Sequence, residues 1–79
     1  MMNEHIVRSF EDELNQLAAE VVRMGGLAEA QVNDSITAFA RRDVPLAQAV
    51  AGRDEKLDVM EADIERAAIR MIALRQPMA

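Results

Sequence analysis

Residues 54–66 read DEKLDVMEADIER and place Asp54, Asp58, Glu61 and Glu65 at successive spacings of four, three and four. At about 100° per residue, these carboxylates fall within roughly 60° of arc on one helix face, about a quarter turn from the apolar seam. Like charges at such spacings repel, at about 0.2–0.5 kcal/mol per pair in an isolated helix. All-oxygen ligand sets suit hard cations such as Mg²⁺, Ca²⁺ or Mn²⁺, and carboxylates on facing helices can hold iron. A bound cation would relieve the repulsion. The plainer reading is a solvated charged face, partly neutralised by Arg53, Lys56 and Arg66 nearby on the same helix.

Little other chemistry is written in the chain. It has no cysteine, which removes disulfides, thiolate metal sites and cysteine nucleophiles. His5 is the only histidine and sits near the start of the first helix, where it reads as a surface residue. Ser9, Ser35 and Thr37 have no His or Lys at a helical spacing that would activate them. Gly25-Gly26 lacks the preceding strand and following Lys of a phosphate loop. A carboxylate-bridged metal oxidase would need Glu-x-x-His pairs, which are absent. The expectation is a protein that is not an enzyme.

Charge narrows the partners. A formal net charge of −5, with nine Lys and Arg scattered along 79 residues, argues against nucleic acid. The start MMNEHIVRSFEDE carries acids where a secretory signal has a basic and then an apolar region, and no uncharged run approaches the roughly 20 residues of a membrane span. The expectation is a cytoplasmic chain without membrane insertion.

Two helices must position these residues. Val7, Phe10, Leu14, Leu17, Val21, Met24 and Ala28 alternate spacings of three and four, which is a helical seam that no strand could use. The stripe continues as Val32, Ile36 and Phe39 after one irregular step, a stutter that lets a straight helix keep its apolar face. Gly25-Gly26 could break the helix or admit a close backbone. The periodicity on both sides favours one continuous helix over about 4–41. A turn over about 42–44 follows: Arg41 and Arg42 suit a helix C-terminus, Asp43 an N-cap, and Pro45 a first turn. The second helix is expected over about 45–74, with the seam Leu46, Val50, Leu57, Met60, Ile64, Ala67, Met71 and Leu74, interrupted at Arg53. A tail over 75–79 contains the stop at Pro77. Met24, Met60 and Met71 read as core fillers. The fold class is all-α, a long antiparallel hairpin. Two helices cover only part of each other's apolar stripe, so a third helix, a second hairpin or a dimer is implied.

The order of residues adds a resemblance. MGGLAEAQV, followed by RRDVPLAQAVAGRDEKLDVMEADIERAAIRMIALRQPMA, resembles the PhoU family of phosphate-transport accessory proteins. The resemblance covers about residues 5–79. It implies the first two helices of a three-helix bundle, with the third helix and a second repeat lying beyond them, so that residues 1–79 form a partial PhoU-like domain. It further implies an adaptor that down-regulates phosphate-starvation signalling, with the phosphate ABC transporter and a phosphate-sensing histidine kinase as partners. By the same resemblance, Asp54 and Asp58, with Glu61 the next carboxylate, would be half of a divalent-metal site for iron, zinc, manganese or magnesium. The bundle is expected to be completed by oligomerisation, with two hairpins forming a homo-oligomer. The competing reading is a structural hairpin module for oligomerisation, without a metal or signalling role.

Overall fold

The computed structural model describes residues 2–75, with side chains from residue 4 onward. It holds two α-helices, α1 (Met2–Arg41) and α2 (Val44–Leu74), packed side by side in an antiparallel hairpin. The rod measures 60 × 20 × 15 Å, close to the length of its longer helix at 1.5 Å per residue. The tail residues 76–79, including Pro77, lie outside the described residues.

Local chemistry sets the corner. Asp43 is the N-cap of α2: its backbone is extended and its Oδ1 accepts from the Leu46 N–H at 3.0 Å. Pro45 follows in the first turn, where a missing N–H costs nothing. Arg42 takes φ = 53°, the left-handed conformation that ends many helices, and the Asp43 N–H donates to the Ala38 carbonyl at 2.9 Å. Glycine would adopt that φ with less strain. α1 runs through Gly25-Gly26 without interruption, and a Cβ at either glycine would meet nothing within 4 Å. No backbone of the hairpin approaches there.

The seam of α2 is the one its periodicity marks. Leu46, Val50, Leu57, Met60, Ile64, Ala67 and Met71 are all half-buried, whereas Leu74 is exposed. On α1 the contact line follows Phe10, Leu17, Met24, Gln31 and Ala38, a constant spacing of seven that is the repeat of a coiled-coil seam. This corrects the expected course. After Ala28 the hairpin buries Gln31 and Ala38 (9% and 5% exposed), while Ile36 and Phe39 stand 61% and 87% exposed. The stutter does not steer the seam. One neighbour covers only part of a broad apolar arc, and the heptad line follows the covered part.

Polar bonds cross the interface on the corner side, at the second and third turns of α2. Gln31 Nε2 donates to the Val50 carbonyl at 2.8 Å, and Arg53, the interruption in the α2 seam, meets Asp34 at 2.8 Å. Ser35 Oγ donates back to the Gln31 carbonyl at 2.7 Å. At the open end the Arg75 guanidinium sits 5.2 Å from the centroid of the Phe10 ring and 3.5 Å from Glu13. These bonds pin the register that the thin apolar seam alone would leave loose.

Candidate functional site: an acidic face beside an open apolar stripe

Asp54, Asp58, Glu61 and Glu65 lie in the middle of α2, and all four are exposed. Their mean direction is about a quarter turn from the line of Leu57 and Ile64 that meets α1. On α1, Val7, Leu14, Val21, Val32, Ile36 and Phe39 are displaced by about 80° from the Leu17–Gln31 line in the same rotational sense. In an antiparallel pair, equal rotational senses bring both sets to the same side of the hairpin. The acidic face and the exposed apolar stripe therefore flank one shared trough.

The opposite side is a separate groove of about 550 Å³. Its lining includes Glu13, Glu20 and Arg23 from α1 with Lys56, Asp63 and Arg70 from α2, over a floor of seam residues such as Met60 and Ile64. None of the four carboxylates of the acidic face lines it. The hairpin thus has two unlike sides.

The fit of the acidic face to a metal ion is partial. Carboxylates on a single helix supply ligands from one direction only, and a closed oxygen shell of six or more needs other elements. At the level of Asp54 to Glu65 the antiparallel register places Val21, Gly25, Ala28 and Val32 across the trough, and none of these side chains can ligate. Among the described residues no group of three or more His, Cys, Asp or Glu side chains is placed to hold a metal ion. The hairpin offers hard-ligand chemistry on one wall and an apolar surface on the other.

The remaining candidates are placed simply. His5 and Ser9 are exposed on the first turns of α1, and Ser35 spends its hydroxyl on the backbone of its own helix. Met24, Met60 and Met71 are half-buried along the contact lines. Sequence reasoning missed Gln31: its polar type argued against a seam position, although it stands seven residues from Met24. Among the described residues no helix is long and apolar enough to cross a membrane.

Comparison with known proteins gives this arrangement a lineage. The family model of the PhoU domain matches residues 21–79. The chain is 63% identical over 78 residues to a phosphate-specific transport system accessory protein PhoU homolog of Caulobacter vibrioides, covering 99% of this chain and 34% of the relative. It is 44% identical over 78 residues to the accessory protein PhoU of Serratia marcescens and 41% identical to that of Escherichia coli K12, covering 99% of this chain and 32% of each relative. The chain spans about a third of the length of these curated relatives. No solved structure matches it. The family model covers well over half of the residues and both helices of the hairpin fall within the aligned relatives: this chain belongs to the PhoU family.

Proposed function

We propose that this hairpin is part of a PhoU-type adaptor that holds phosphate-starvation signalling off and modulates the phosphate ABC transporter. It acts through its helix faces and turns nothing over. Alignment along 99% of the chain with accessory proteins of the phosphate-specific transport system is the observation that carries this reading. The exposed side chains agree with it, because they offer docking surfaces and no activated nucleophile. The phosphate ABC transporter and the phosphate-sensing histidine kinase are the partners.

Within this reading the trough has two jobs. Its apolar wall, ending in Val32, Ile36 and Phe39, receives another helix, supplied by a second copy, so that two hairpins form a homo-oligomeric four-helix bundle. Exposed apolar stripes of this extent drive association. Its acidic wall, Asp54, Asp58 and Glu61, contributes half of a divalent-metal site for iron, zinc, manganese or magnesium, the incoming helix supplying the rest. Four carboxylates repel phosphate, so the acidic face does not bind phosphate unless a cation bridges them.

The test is genetic. The reading frame that encodes these residues is deleted from cells carrying a reporter of the phosphate-starvation response. Derepression in phosphate-rich medium, reversed by supplying the gene, is the expected result. A reporter that stays silent in phosphate-rich medium after deletion would sink the proposal.

A further inference from the structure

The groove opposite the acidic face has an ionic pattern of its own. Each carboxylate that lines it is engaged: Glu13 with Arg75, Glu20 with Arg23 at 3.7 Å, and Asp63 with Arg66. Arg23 is taken up by Glu20. Among the described residues, Lys56 and Arg70 are lining charges that form no ion pair. On a chain of net charge −5, this side therefore presents two unmatched cations on one helix, 14 residues apart and roughly 21 Å along its axis. Between them lie Met60, Ile64 and Ala67, with Met71 just beyond Arg70, Leu17 across the groove and Val59 61% exposed on the rim.

The shape is that of a trough between two parallel rods, which accepts a third rod. We propose that this groove docks an amphipathic helix of a partner protein, whose apolar stripe lies on Met60, Ile64 and Met71 and whose two carboxylates, about 14 residues apart, pair with Lys56 and Arg70. This surface lies outside the trough assigned to self-association and metal, and it does not depend on that assignment. A second copy of this chain fits poorly. A two-fold arrangement about Asp63 sets each Lys56 against the second copy's Arg70 and the two Asp63 side chains against each other. Like charges placed so oppose pairing. An acidic helix meets both cations.

A labelled synthetic helix of about 18 residues tests this, with Leu at alternating spacings of three and four and Glu at two positions 14 apart, titrated into the protein by fluorescence anisotropy. A second peptide carries Lys at the same two positions. Saturable binding of the Glu peptide is expected, weakened about tenfold by the Lys56→Glu/Arg70→Glu double variant and recovered on that variant by the Lys peptide. Circular dichroism of the variant confirms retained helicity, and the recovery by charge exchange separates lost pairing from lost folding. Equal binding of the two peptides to the unaltered protein, or an unchanged affinity of the double variant for the Glu peptide, overturns the proposal. So does the absence of saturable binding. Loss of peptide binding in Phe39→Glu, with none in the double variant, would put the peptide in the opposite trough. A change of oligomeric state in the double variant alone would make a second copy the occupant. Either result overturns the assignment to a partner helix.

Discussion

Arg53 Nη2 lies 2.8 Å from Asp34 Oδ2, at the same level of the antiparallel hairpin as the 2.8 Å bond between Gln31 Nε2 and the Val50 carbonyl. Both bonds join residues 19 apart in sequence. Together they tie the same two turns of α1 to the same two turns of α2. A slip of the helices by one turn would break both.

The ion pair of Arg53 and Asp34 is exposed, with side chains 45% and 38% accessible, so its contribution is small. A double-mutant cycle of Arg53→Met and Asp34→Asn is expected to give a coupling of about 0.2–1 kcal/mol at low salt. In 1 M NaCl, where the screening length is about 3 Å, most of it disappears. Urea unfolding at both salt concentrations checks this. A coupling that persists in salt would mean that the pair is better shielded than its exposure implies.

Gln31 should be replaceable at a gain. Its Oε1 is buried without a hydrogen-bond partner, and the cost of such an orphan is about 1–3 kcal/mol, against about 0.5–1.5 kcal/mol for the bond its Nε2 makes. Gln31→Leu is expected to raise unfolding stability by about 1 kcal/mol, read from urea denaturation at fixed protein concentration. A loss of similar size would show that the Val50 bond outweighs the orphan.

Removing the cap at the corner should cost about 1 kcal/mol. Asp43→Ala deletes the oxygen that accepts from Leu46, whereas Asp43→Asn keeps an acceptor there. The thermal midpoint should fall for alanine and stay near the parent value for asparagine. Equal behaviour of the two would assign the corner to Pro45 and the turn backbone instead.

The acidic face gives opposite results with and without metal. In a chelator, Asp54→Asn/Asp58→Asn relieves like-charge pairs and should stabilise α2 by about 0.2–0.5 kcal/mol for each pair removed. Calorimetric titration of Mn²⁺, Mg²⁺ and Fe²⁺ should give heat with the parent protein and none with the variant. Identical heats from both proteins would remove Asp54 and Asp58 from the proposed half-site.

Self-association should depend on the far end of the apolar stripe. Phe39→Glu places a charge at the most exposed of the large apolar side chains described, where the hairpin itself loses little by the change. Sedimentation velocity at micromolar concentration is expected to move from dimer towards monomer, with helicity by circular dichroism unchanged. A parent protein that is already monomeric would rule out the four-helix bundle.

The sequence by itself determined the elements. Three-four periodicity, Asp43 before Pro45 and the Arg41-Arg42 end specify two helices and one tight corner, because these signals act over a single turn of backbone. It also put Asp54, Asp58, Glu61 and Glu65 on one face, since spacing along a helix is already geometry. Only the tertiary structure decided which strip of α1 faces α2. Val32, Ile36 and Phe39 are more apolar than Gln31, Asp34 and Ala38, yet the latter set lies at the interface. The apolar arc of α1 is wider than one neighbouring helix can cover, so hydrophobicity alone leaves the rotation of α1 undetermined. The bonds of Gln31 to Val50 and of Asp34 to Arg53 join residues distant in sequence and are formed in the observed rotation, which leaves the apolar remainder on the side that carries the acidic face.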